Sequence, residues 1–218
     1  YGYKPNNYYF ELQAVPFSEI KAHYRPEHFL SSRLKIVKKN PDSIDTPALR
    51  DAIDFCTHLS EHSGVDRKYF GITGSCLIGL EKEDSDVDII VYGFGNSLKV
   101  REYLHQCFST TTSHQEQKQL VKRYNKKQLK NLYKFRVKND AVSFLDFLKY
   151  EVRKLHQGTF RGRDYFIRFF EHDSRESYRR NNAFFIRNIK SLGRITISGQ
   201  VRDDQNWWTT PASVGFAN

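Results

Sequence analysis

The sequence of 218 residues carries 35 lysines and arginines against 25 aspartates and glutamates, a formal charge of +10 and a pI of about 9.4. It has no run of about eighteen apolar residues, which excludes a membrane-spanning helix, and its basic balance points to an anionic partner, nucleic acid first. With 39% hydrophobic and 15% aromatic residues the chain can build a sizeable core, as one large domain or two small ones. The three cysteines (Cys56, Cys76, Cys107) are isolated and odd in number. They read as reduced core residues of a cytoplasmic protein, not as a disulfide frame or zinc ribbon. No signal peptide is legible at Tyr1. Methionine is absent, so the sequence is expected to begin inside a longer protein or to lack segments of it.

Residues 1–45 read as an N-terminal β and basic segment. Asn7–Val15 has strand composition. Residues 19–40 interleave Lys21, His23, Tyr24, Arg25, His28 and Phe29, a pattern that suits either a nucleic-acid path or packing and solvation. Asp45-Thr46-Pro47 marks a helix start, with Thr46 as N-cap and Pro47 at the first helical position. Leu49, Ile53, Cys56 and Leu59 follow at helical spacing, and Ser63-Gly64 ends the helix. Within it, His58 and His62 fit the H-x-x-E-H zinc-peptidase pattern. Leu59 belongs to the apolar stripe, so the two histidines read as a solvated helical face.

From Phe70 to Gly93 the predicted order is a short strand (Phe70–Thr73), a Gly-Ser turn, a brief helix, a polar loop and a buried strand (Val87–Tyr92). Gly74 and Ser75 stand where strand gives way to helix. A glycine there admits a ligand close to the backbone, and the free N–H groups of a helix start favour an anion. Glu81, Glu83 and Asp84 read as surface charges of the loop. Asp86 and Asp88 are two apart at the head of the strand, so their carboxylates share a face. Like charges side by side are stable mainly with a cation between them. Hard oxygen donors of this kind suit Mg²⁺, which also takes phosphates and waters. A phosphate cradle followed by a carboxylate pair is equipment for two-metal phosphoryl or nucleotidyl transfer.

Asn96–Phe108 is predicted helical, and Ser109–Ser113 reads as a boundary loop. Glu116–Lys134 is predicted as a basic helix. No acid occurs between Lys118 and Lys138, and Lys122, Arg123, Lys126, Lys127 and Lys130 form the candidate nucleic-acid surface. Asp140 is the expected cap of a helix over Ala141–His156, whose apolar face is Val142, Phe144, Leu145, Leu148 and Val152, with Gly158 as its stop. Gly162–Phe170 is a predicted strand. Asp164, Phe166 and Arg168 share one face of it, and Tyr165, Ile167 and Phe169 the other. Arg163 or Arg168 is suited to bidentate contact with a triphosphate. Ser174–Arg194 is polar and arginine-rich. Ile195–Val201 alternates as a half-buried strand, returning at Trp207–Thr210, whose tryptophans suit hairpin packing or base stacking.

Gly74-Ser75, ten intervening residues, then Asp86-Val87-Asp88 within a hydrophobic strand resembles the signature of the DNA polymerase beta-like nucleotidyltransferase superfamily. The resemblance covers roughly residues 46–95 and is nearest to uncharacterised archaeal members. It implies an α+β fold, with a mixed sheet flanked by helices, over residues 46–173. A basic helical insertion would occupy 113–158 and a small antiparallel β unit 174–218. It also implies that Gly74 and Ser75, with Arg168, hold an NTP, and that Asp86 and Asp88 bind two Mg²⁺ ions. Members of the superfamily add a third metal-binding carboxylate on a neighbouring strand. Asp164 is the best match, with Glu171 and Asp173 as lesser candidates. Many members, CCA-adding enzymes among them, carry an arginine three residues after the serine; here Ile78 stands there, which separates the chain from that group. The competing expectations are a nucleic-acid-binding protein that keeps the fold with little or no catalysis, and a transferase acting on a protein or small molecule.

Overall fold

The computed structural model describes residues 2–3, 12–13, 15–44, 46–109, 120–137, 142–171, 198–203, 207–210, 212 and 214–217. β1 (Gly2–Tyr3) pairs antiparallel with β2 (Leu12–Gln13), the latter inside the predicted first strand. α1 (Pro26–Lys39) begins with proline at its first position, where the missing N–H costs nothing. α2 (Pro47–Ser63) starts and stops as expected. The Thr46 hydroxyl accepts from the Leu49 N–H at 3.3 Å, and Gly64 closes the helix in the left-handed conformation. β3 (Phe70–Ile72), α3 (Gly74–Ile78), β4 (Val87–Tyr92) and α4 (Phe94–Phe108) follow.

Beyond α4 come β5 (Val121–Lys122), α5 (Lys126–Arg136), α6 (Phe144–Glu151), β6 (Gln157–Phe160) and β7 (Arg163–Phe170). β8 (Gln200–Asp203) and β9 (Gly215–Ala217) form a small antiparallel pair. The main sheet has five strands in the order β3-β4-β7-β6-β5. β4 and β7 run parallel at its centre, and the other pairings are antiparallel. The fold is therefore α+β, a mixed sheet flanked by helices. Among the described residues no helix is long and apolar enough to cross a membrane.

The two faces of the sheet differ. Val87, Ile89 and Val91 of β4 and Tyr165, Ile167 and Phe169 of β7 are buried with the apolar stripe of α2 and with Val100 and Leu104 of α4. Phe55 of α2 is fully buried, its ring centroid 4.7 Å from those of both Phe160 and Tyr165. The other face carries Asp88 and Ile90 opposite Phe166 and Arg168. Close approach at the β3 edge depends on Gly71, where an added Cβ would lie 2.6 Å from the Cβ of Pro26. That clearance lets the start of α1 sit directly on β3.

Four expectations change in the second half. Val121–Lys122, predicted helical, is a strand paired with β6, because Val121 is buried against the core. The basic helix is thus Lys126–Arg136, opened by a reciprocal cap between Asn125 and Gln128. The next helix is Phe144–Glu151, capped by Ser143; Asp140 and Ala141 lie outside the described residues. Its predicted apolar face is partly reversed, since Leu145 and Val152 are exposed while Phe147 packs against Tyr133 of α5. Gly158 is a strand residue, not a helix stop: an added Cβ would meet the Lys122 carbonyl at 2.4 Å, so glycine lets β5 approach β6.

In the C-terminal unit the returning strand is β9, and Trp207–Thr210 is a turn. Trp208 is buried against Phe94 and Phe169, with the Arg101 guanidinium 4.2 Å from its ring centroid. That settles Trp208 on packing rather than base stacking. The arginine-rich stretch 174–194, the first residues of the Ile195–Val201 strand and the 110–119 segment fall outside the described residues.

Phe55→Ala is expected to lower the unfolding free energy by about 3–5 kcal/mol, as for large aromatic truncations in packed cores. Urea unfolding of the two proteins measures it, and a loss under about 1 kcal/mol would contradict the stacking of Phe55 on β6 and β7.

Candidate active site

β4 and β7 run parallel in the register Val87↔Tyr165 and Asp88↔Phe166. One residue back, Asp86 and Asp164 head the two strands side by side. The sequence could place Asp86 and Asp88 on one strand face, but only this pairing brings in Asp164. Asp86 and Asp164 are exposed and Asp88 is half-buried. An open cleft of about 1150 Å³ lies over this strand end, lined by Asp51 of α2, Asp84–Asp86, Phe135 of α5 and Arg161–Asp164.

Gly74 begins α3 with φ of 65°, a left-handed conformation that L side chains adopt with strain. A Cβ at this position would lie 2.2 Å from Oδ2 of Asp88. Glycine therefore serves two purposes: the chain turns sharply after β3, and the Asp88 carboxylate comes against the backbone. The Thr73 N–H donates to the Asp88 carbonyl at 3.0 Å, tying the turn to β4. Ser75 is half-buried in the first turn of α3. Ile78, in the place of the family's arginine, is exposed on the same short helix.

The acidic loop before Asp86 is held more firmly than its composition suggests. Arg163, offered by the sequence as a phosphate ligand, is instead engaged beneath this loop. Its Nε donates to Asp51 at 2.6 Å, and its Nη1 donates to the carbonyls of Glu83 and Ser85 at 2.7 and 2.8 Å. Glu81, read as a surface charge, is half-buried and accepts from the Thr46 hydroxyl at 2.9 Å. Arg161 next to it pairs with Asp54 of α2 at 2.5 Å. Arg161 and Gly162, with φ of 52° and 88°, form the two-residue β6–β7 turn. These long-range contacts fix where Asp86 and Asp164 stand, and local sequence carried no signal for them.

Among the described residues Asp86, Asp88 and Asp164 have no side-chain hydrogen bond or ion pair. Burial, then the Asp86 charge, hold the Asp88 carboxyl above the usual carboxylate range, while Arg168 on the same face opposes the shift. Burial and Asp86 likewise raise Asp164. Arg168 is exposed and lies over the Phe166 ring, 5.3 Å from its centroid. Three unpaired carboxylates, two of them raised by a shared neighbour, are chemically suited to a hard cation. In geometry the fit is partial: among the described residues no group of three or more His, Cys, Asp or Glu is arranged to hold a metal ion.

The predicted basic surface is divided. Lys122 projects from β5, and Lys126, Lys127 and Lys130 from α5, all exposed. Arg123 is committed elsewhere, its guanidinium 4.5 Å from the Phe108 ring centroid and donating to the Val152 carbonyl. Arg136 also turns inward, 3.5 Å from the buried Glu151. Two residues of this region went unnoticed in the sequence. Phe135 is 72% exposed and lines the carboxylate cleft. The Tyr124 hydroxyl is pushed well above its ordinary pKa by burial first and then by Asp164 and Asp86. Either aromatic reads locally as ordinary packing.

His58 and His62 resolve differently. His58 is half-buried, with Nε2 2.6 Å from the Tyr103 hydroxyl, and His62 Nδ1 is 2.8 Å from the His58 carbonyl. Burial and the neighbouring His62 lower His58 to about 4. The pair packs α2 against α4.

Two expectations follow. Gly74→Ala should destabilise the protein by more than about 1 kcal/mol through the left-handed backbone alone. The loss should shrink in an Asp88→Ala background, so an unchanged penalty there would argue against the close approach of Asp88 to Gly74. For Asp88, a raised folded pKa means the native state holds the proton more tightly than the unfolded chain. Its contribution is full below the unfolded value and is lost as pH rises through the folded one. Asp88→Asn should therefore stabilise the protein at pH 7, the gain fading below about pH 4. Thermal melts across that range decide it, and destabilisation at pH 7 is the contrary result.

No family model matches the chain, and no solved structure matches it. It is similar to the uncharacterized protein MJ1086 of Methanocaldococcus jannaschii, with 29% identity over 154 residues, which is 71% of this chain and 42% of that protein. The chain thus spans less than half the length of the curated relative it matches.

Proposed function

We propose that this chain carries a nucleotidyltransferase site, moving a nucleoside monophosphate from an NTP to an acceptor hydroxyl or phosphate, with nucleic acid as the favoured acceptor. One observation carries the reading. Asp86 and Asp164 line one open cleft at the end of the parallel strands β4 and β7, and Asp88, next along the face from Asp86, lies against the Gly74 turn. Two Mg²⁺ ions held by these carboxylates would neutralise the charge of the triphosphate and of the transition state.

The remaining roles fall to the chain's own groups. The backbone at Gly74 and Ser75 receives the triphosphate, and Arg168, on the face of Asp88, supplies a mobile cation toward it. Phe135 offers a flat apolar surface to the base at the cleft. Asp164 would hold the Mg²⁺ ion that lowers the pKa of the attacking acceptor hydroxyl. The acceptor oxygen bonds to the α-phosphorus as the bond to the bridging oxygen breaks, and pyrophosphate leaves. Arg163 acts at one remove, fixing the loop that presents Asp86. Lys122, Lys126, Lys127 and Lys130 supply positive field for a polyanionic acceptor, and Cys56, Cys76 and Cys107, none of them in a disulfide, accord with a reducing cytoplasm.

A second reading rests on a different observation. Lys122, Lys126, Lys127 and Lys130 are all exposed, which suits a protein that keeps the site's outline while binding nucleic acid with little catalysis.

Incubation with labelled ATP, CTP, GTP and UTP and Mg²⁺, with RNA, DNA or total protein as acceptor, separates the two. Transfer should fall by a factor of about 10³ or more in Asp86→Ala/Asp88→Ala, since charge placement at such sites contributes several kcal/mol. Phe135→Ala should raise the KM for nucleotide severalfold. Full Mg²⁺-dependent transfer in the double variant would falsify the assignment. Absence of transfer with salt-sensitive RNA binding intact would favour the binding protein.

A further inference from the structure

A second cavity, of about 520 Å³, lies between α1 and α2, within the size range of ligand clefts. Leu34, Val37 and Ile53 give it an apolar floor, and Lys35, Lys38 and Lys68 a basic rim. Lys35 and Lys38 are exposed and have no acidic partner among the described residues. Arg67 and Lys68, at the far side, pair with Glu61 and Asp66. Asp54 is the one carboxylate among its lining residues, and it is already engaged by Arg161. Arg161 itself lines the carboxylate cleft, so the Asp54–Arg161 pair is the boundary shared by the two cavities.

We infer that this groove is a binding site for single-stranded nucleic acid, and that it leads the acceptor strand past the Asp54–Arg161 boundary to the carboxylate cleft. The assignment of the strand as acceptor rests on the nucleotidyltransferase reading; the binding site does not. Three features favour this occupant over another polyanion. An aliphatic floor of Leu34, Val37 and Ile53 beneath a cationic rim suits a chain that alternates apolar base faces with phosphates. The rim lysines are exposed point charges, suited to a phosphate backbone read without sequence preference. The groove adjoins the cleft in which such a strand's terminal hydroxyl would react. The residues that stand out in the basic and aromatic stretch 19–40, from Lys21 to Phe29, do not line the groove; Lys35 and Lys38 do, and the packing of α1 on α2 forms it.

The test is fluorescence anisotropy with a labelled single-stranded RNA of mixed sequence, titrated at several salt concentrations. Lys35→Glu/Lys38→Glu should weaken binding at least tenfold. It should also reduce the slope of log affinity against log salt by about 1.4, close to 0.7 for each phosphate that is no longer neutralised. Both lysines are exposed on α1, so the melting temperature of the variant should match the wild type and show that the fold is kept. Ultraviolet cross-linking should place RNA on peptides from Ser31–Lys38 and Arg67–Tyr69. Unchanged affinity and slope in the variant overturn the site, as does wild-type protein that binds no RNA. Tighter binding to anionic phospholipid vesicles than to RNA, abolished in the same variant, reassigns the groove to a membrane surface and overturns it as well. If the wild type shows no transfer yet the lysine variant loses RNA binding, the enzyme reading fails and the groove stands.

Discussion

Parallel pairing of β4 with β7 is the constraint on which the site depends. It sets Asp86 beside Asp164, with Asp88 one position along the same face as Arg168. Charges of one sign gathered at one strand end repel, less so the more water remains between them. The fold tolerates this because the reverse face of the same two strands is fully apolar. Val87, Ile89, Tyr165, Ile167 and Phe169 are all essentially inaccessible to solvent, and each large side chain buried contributes about 1.5–3 kcal/mol. One pair of strands thus holds close apolar packing on one face and like charges on the other. Burial first, and the Asp86 charge second, raise the proton affinity of Asp88 and Asp164.

Arginine does a different task on each side of this strand end. Arg168 stays exposed, with its charge acting on Asp88 across the sheet face. Arg163 is nearly buried and has its hydrogen bonds satisfied by Asp51 and two loop carbonyls. The planar fork of guanidinium suits that bridging geometry, which a lysine would not reproduce. An acidic loop that would otherwise swing in solvent is thereby fastened to α2. The same helix receives Arg161 one turn further along, through Asp54. The position of α2 is consequently felt at the carboxylates, although its own buried stripe faces the core.

How much of this was legible depended on whether the signal was local. β4 could be read in full because six consecutive residues, five of them apolar, are bounded by a polar loop and a glycine. α2 was legible because its cap, proline and stop glycine agree with its stripe. Asp86 and Asp88 were placed on one face by strand periodicity alone. Asp164 came only through resemblance, since strand register is a long-range property. The anchoring contacts of Arg163 were not legible for the same reason: its partners belong to distant parts of the chain. β5 went unseen because two residues have no periodicity, and lysines on either side of it extended the helical pattern. Gly158 looked like a helix stop because glycine marks both helix ends and close strand contacts.

The two edges of the main sheet are β3, of three residues, and β5, of two. An exposed strand edge is a template on which another chain can add itself, and its capacity to do so grows with its length. Here α1 rests on β3 through the Gly71–Pro26 clearance, and β5 ends in an exposed lysine before the chain turns away. Among the described residues neither edge offers a long row of unpaired amides for strand addition. Side chains and helix faces are what this part of the chain presents to another molecule.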